Sequence, residues 1–107
     1  MTLQQLIDAL AAADQDYVVP LGFGRPWSYR GGPSDVAFVP ETDVTVAAML
    51  AEAQFALGET FHGYKGGQYT MGAGVDCYIA EYGSSQGDKI GPMLVAYMTG
   101  QARKTEG

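Results

Sequence analysis

The first apolar residues of the chain fall at helical spacing. Leu3, Leu6, Ile7 and Leu10 recur every three or four positions, with Gln4, Gln5 and Asp8 between them. That pattern predicts a helix over about residues 2–13 with one stripe facing a core. Thr2 followed by Gln5 has the spacing of a capping box, in which each side chain satisfies the other residue's backbone N–H. The period then changes. "DYVVP" (16–20) reads as a short strand ended, or held at an edge, by Pro20, and "DVAFVP" (35–40) as another closed by Pro40. Between them, "FGRPWSYRGGPSD" (23–35) is too glycine-rich for a helix and too proline-broken for a central strand, so a loop is expected.

Helical spacing returns in "DVTVAAMLAEAQFALG" (43–58), where Val46, Met49, Leu50, Ala53 and Leu57 form the stripe and Gly58 is placed as the C-terminal cap. "GYKGGQYTMGAG" (63–74) reads as a second glycine-rich loop with a short extended piece around Gln68 to Met71. "VDCYIAEYG" (75–83) alternates in part and is rich in strand formers, which predicts a strand. In "IGPMLVAYMTG" (90–100) the proline suits the first position of a helix, while the apolar run would also suit a buried strand; helix is the preferred reading. Residues 100–107 read as a frayed tail. The expected fold class is α+β, with two or three helices packed on a small, mainly antiparallel β-sheet in a single domain over 1–99.

At 107 residues, with 47% apolar and 17% charged residues, the chain suits one domain with a modest core. Fifteen glycines, about twice the usual share, imply many turns or close backbone approaches. A single cysteine, Cys77, excludes an internal disulfide framework and fits a reducing cytosol. The first fourteen residues are too short and too acidic for a signal peptide, and no stretch approaches the roughly 20 apolar residues of a membrane span. A net charge of −6 disfavours DNA as a partner, because phosphate neutralisation needs a basic surface. Arg103 and Lys104 lie in the tail, which leaves Arg25, Arg30, Lys65 and Lys89 for the folded part, each in a segment containing glycine.

Catalytic chemistry finds little support. His62 and Cys77 have no paired spacing, whereas a structural zinc site needs four ligands. Cys77, beside Asp76, reads as a packed thiol, since a nucleophilic cysteine wants an electropositive setting. Ser84 and Ser85 lie in a turn-like "GSSQGD". Asp14, Asp16, Glu41 and Asp43 are explained by helix ends and solubility, and Glu81 is the carboxylate most suited to face a pocket. No metal or cofactor is implied.

Phosphate binding is the stronger chemistry. "GYKGG" lacks the spacing of a P-loop, yet Gly66 and Gly67 would expose backbone N–H groups beside Lys65, and a turn can aim several at one anion. Arg25 and Arg30 bring planar, bidentate donors. Trp27, Tyr29, Tyr64 and Tyr69 offer flat faces for a nucleobase, worth about 1–3 kcal/mol per stacked base. The competing reading is structural: the rings are core, the arginines cover them, Arg25 pairs with Asp35 and Lys65 with Glu59. Both stay open at this level.

The order "SYRGG…DVAFVP…VTVAAMLAEAQFALGETFHGYKGGQYTMG…DCYIAEYG…IGPMLVAYM", covering nearly the whole chain, resembles a family of small phage proteins, the first Thoeris anti-defence family. The resemblance implies a sponge acting in the cytoplasm of the infected bacterial host. Such a sponge sequesters a cyclic ADP-ribose isomer made by TIR-domain enzymes and does not cleave it. It also implies a homo-oligomer, dimer or hexamer, with pockets at subunit boundaries, and in some members a separate site for cyclic oligonucleotides. Ser28, Tyr29, Arg30 and Gly31 match the first signature of the family, and Tyr64, Lys65, Gly66 and Gly67 the second. The chain departs from the pattern at Gly32 and Pro33, where an aromatic residue is expected, which leaves the exact ligand open. Two other function classes stand beside this one. One is an enzyme degrading a nucleotide signal with Glu81 or Asp76 as base, and the other is a phage accessory or host-protein-binding protein.

Overall fold

The computed structural model describes residues 1–29, 35–62, 68–84 and 86–99, with backbone alone at 61, 62, 68 and 69. The fold is α+β: the described residues form three helices, a four-stranded, mostly antiparallel sheet and a separate two-stranded ribbon. Helix α1 (Leu3–Ala11) starts on the expected capping box: Gln5 N donates to Thr2 Oγ1 at 3.2 Å and Thr2 N to Gln5 Oε1 at 2.9 Å. Its apolar stripe, Leu3, Leu6, Ile7 and Leu10, is buried throughout.

Strands β1 (Val18–Ser28) and β2 (Asp35–Thr45) form a long antiparallel hairpin, in register from Val18↔Thr45 to Ser28↔Val36. This corrects the expected loop, because residues 23–28 are strand and Pro20 and Pro26 both lie inside it. The physical reason is position. In the order β1-β2-β5-β6 the first strand is an edge, where a missing N–H can face the open side. Gly24 and Arg25 together oppose Val39, so the register slips there as a bulge. β2 likewise continues past Pro40 rather than ending on it.

Helix α2 (Val46–Ala56) is capped by Thr45, whose Oγ1 accepts from Ala48 N at 3.1 Å. It buries Val46, Met49, Ala53 and Ala56. The expected stripe is therefore corrected at two places: Leu50 is half-buried, and Leu57 has left the helix and is exposed. Gly58 takes φ +82°, as a left-handed C-terminal cap requires.

The ribbon pairs β3 (Thr60–His62) with β4 (Gln68–Thr70), from Thr60↔Thr70 to His62↔Gln68. Strand β5 (Asp76–Ile79) then runs parallel to β2 over Asp35–Phe38, and β6 (Asp88–Lys89) pairs antiparallel to β5. The last apolar run is helical: α3 (Pro92–Thr99) begins on its proline, and Thr99 Oγ1 bonds back to Val95 O at 2.9 Å.

Alternation along β2 divides the interior. Val36 and Phe38 join the main core with the helices, where Phe23 and Phe38 meet at 4.4 Å between ring centroids. Ala37 points to the opposite face of the sheet, into a smaller cluster with Trp27, Tyr29 and Ala80. Among the described residues no helix is long and apolar enough to cross a membrane.

Candidate functional site

The two signature segments occupy corresponding places in the chain. Residues 30–34 lie between Ser28 and Val36, which pair across the β1–β2 hairpin, and residues 63–67 lie between His62 and Gln68, which pair across the ribbon. Arg30, Gly31, Tyr64, Lys65, Gly66 and Gly67 are outside the described residues, as is the side chain of Tyr69. The candidate pairing of Lys65 with Glu59 is outside them too.

Trp27, Ser28 and Tyr29 are described, and all three are buried. Trp27 Nε1 donates to Ala80 O at 3.2 Å, its ring meets that of Tyr29 edge-on at 5.6 Å, and Tyr29 stacks on Tyr78 at 4.6 Å. Two of the rings expected to stack on a base, Trp27 and Tyr29, thus pack on one another within this chain. The sheet explains it. Trp27 and Ala37 are register partners on the face away from the described helices, and among the described residues aromatic bulk and the segment after β5 close that face.

Sequence reading did not single out Tyr82, a residue 78% exposed whose ring nonetheless sits edge-on to Trp27 at 5.5 Å. Its backbone is fixed on both sides. Ala80 N donates to Phe38 O at 3.1 Å, and Ser84 N closes a turn on Glu81 O at 2.9 Å with Gly83 at φ +86°. A left-handed third residue calls for glycine, so an aromatic followed by glycine in "EYGS" was the available signal. Glu81 itself is exposed and does not line the groove described next. Ser84 forms the expected local turn, its Oγ donating to Gln86 O at 2.9 Å and accepting from Gln86 N at 3.1 Å. Ser85 lies outside the described residues.

An open groove of about 880 Å³ runs along β2 where β5 stops pairing with it. Tyr82 lies on it together with Arg25, and so do three carboxylate residues: Glu41 and Asp43 of β2 and Glu52 of α2. Asp43 is held at φ 54°, an uncommon conformation for a residue with a side chain. Arg25 makes no ion pair among the described residues, so the expected pairing with Asp35 is not formed; the salt bridge that is present joins Lys89 to Asp76 at 3.6 Å. Of the expected phosphate ligands, Arg25 is therefore described on a surface where acidic groups outnumber it.

Cys77 is buried, and burial pushes its thiol up to about 12, with the Asp76 carboxylate adding to the rise and the N-terminal ammonium opposing it. A thiol so held is a packing group. Among the described residues no cluster of three or more histidine, cysteine, aspartate or glutamate side chains could hold a metal ion. No family model, curated protein or solved structure matches this chain.

Proposed function

We propose that the protein is a sponge: it binds a cyclic ADP-ribose isomer of the kind made by TIR-domain enzymes and sequesters it without cleaving it. On this reading it blocks Thoeris signalling in the cytoplasm of a phage-infected bacterium and works as a homo-oligomer. The observation that carries the reading is the fixed order of linked motifs along nearly the whole chain. Its support from chemistry is that Arg30 and Lys65 each sit in a glycine-rich connection between paired strands. Backbone amides and a cation in such a connection suit a pyrophosphate. Arg25 contributes less, because a dianion beside it would also meet Glu41, Asp43 and Glu52.

The test is mass spectrometry of small molecules retained by the purified protein after incubation with a lysate containing an activated TIR enzyme. Retention, followed by release of the intact cyclic nucleotide on heating, is the expected result; recovery of cleaved products alone would refute sequestration. The double variant Arg30→Ala, Lys65→Ala is expected to retain none. Wild-type retention by that variant overturns the phosphate assignment.

A further inference from the structure

We infer that Tyr82 and the groove beside it form the subsite for the uncharged nucleoside end of the ligand, with the Tyr82 ring as the stacking surface. The inference rests on the nucleotide-binding reading above and adds to it a location and a residue.

Three observations carry it. The first is exposure with fixation. A tyrosine 78% exposed ordinarily samples several rotamers, but the Tyr82 ring meets Trp27 in a T-shaped contact, and Trp27 is itself hydrogen-bonded to Ala80 O. A ring positioned in advance loses little freedom when a base stacks on it. The second is that, of the other candidate rings, the two whose side chains are described are committed: Trp27 and Tyr29 are 8% and 1% exposed. The third is volume and chemistry. The groove's 880 Å³ lies within the range of small-molecule sites, and three of its four charged residues are acidic. Carboxylates accept hydrogen bonds and donate none, so they suit the hydroxyls of a ribose and the exocyclic amine of adenine, and they repel phosphate. The lining of Glu41 and Glu52 around an exposed ring therefore selects the part of an adenine nucleotide that carries donors and no charge, and leaves its phosphates to the cationic segments.

Adenosine, which has no phosphate, tests this directly. Trp27 is the sole tryptophan and touches Tyr82, so its fluorescence reports on the groove. Adenosine is expected to change that emission saturably, and calorimetry is expected to give a matching affinity. Tyr82→Ala is expected to weaken adenosine binding about tenfold or more by calorimetry, whereas Tyr82→Phe, which keeps the ring, stays within about threefold. An unchanged melting temperature for Tyr82→Ala assigns the loss to the site. No saturable response to millimolar adenosine, or equal affinity in wild type and Tyr82→Ala, overturns the assignment. The two readings fail separately. Wild-type protein that binds adenosine through Tyr82 but not the cyclic nucleotide refutes the sponge. Retention of the cyclic nucleotide with equal affinity in Tyr82→Ala refutes the subsite alone.

Discussion

The indole of Trp27 and the carbonyl of Ala80 are joined by a 3.2 Å hydrogen bond that links the edge strand to the chain leaving β5. The bond closes the face of the sheet opposite the described helices. Phenylalanine at position 27 would keep much of the ring packing and leave the Ala80 oxygen without its donor. The expected cost is about 1–3 kcal/mol, seen as a fall in melting temperature of roughly 5 °C per kcal/mol in a thermal scan.

Close approach behind the same cluster makes a second prediction. A Cβ on Gly87 would lie 2.6 Å from Ala80 Cβ and 2.8 Å from Ile79 O, and the backbone atom cannot step aside. Gly87→Ala is expected to destabilise by about 1–3 kcal/mol in urea unfolding. At Gly72 a Cβ meets nothing within 4 Å, and Gly72→Ala is expected to fall within about 0.5 kcal/mol of wild type.

Much of the helical structure was legible before any coordinates, because α1 and α2 are set by local signals: a 3.6-residue period, a threonine cap, a glycine stop. The strands were legible only in part. Pro20 and Pro26 are local breakers, tolerated because β1 is an edge strand, and Pro40 lies in β2 beyond the stretch that β5 pairs with; both are properties of the finished sheet. The parallel match of β2 with β5 has no local signature at all. The same holds for the candidate site. Trp27 and Tyr29 were visible as aromatics among glycines, but choosing between core and binding surface required knowing which face of the sheet the described helices cover. Tyr82 fell inside the strand expected over 75–83, and only Gly83 after it signalled that the chain turns there.

The Cys77 thiol gives a pH signature. In the unfolded chain it ionises near its ordinary value of 9.0, and in the folded protein near about 12. The folded state therefore holds the proton more tightly. Stability from this group is fully present below pH 9 and is lost as pH rises from 9 towards 12, by up to about 1.4 kcal/mol per pH unit. The measurement is a difference: Cys77→Ala is expected to have a shallower alkaline loss of stability than wild type. Below pH 9 the native thiol is also expected to resist thiol reagents until the protein is unfolded.

At the other end of the chain, Thr2 both caps α1 and bridges to Asp76 of β5. Thr2→Ala is expected to cost about 1 kcal/mol in denaturant unfolding, and Thr2→Ser, which keeps the acceptor oxygen, a small fraction of that.

The parallel register of β2 with β5 has a consequence for how the molecule assembles. β1 can zip onto β2 as a neighbour in sequence, but β5 is reached only through the whole of α2 and the ribbon. No hairpin can deliver it, so its docking bears the largest loop-closure entropy in the sheet. Tyr78 and Ala80 travel with that strand, and the wall behind Trp27 is accordingly expected to form late. Emission from the lone indole is then expected to lag behind the helical signal in circular dichroism during refolding.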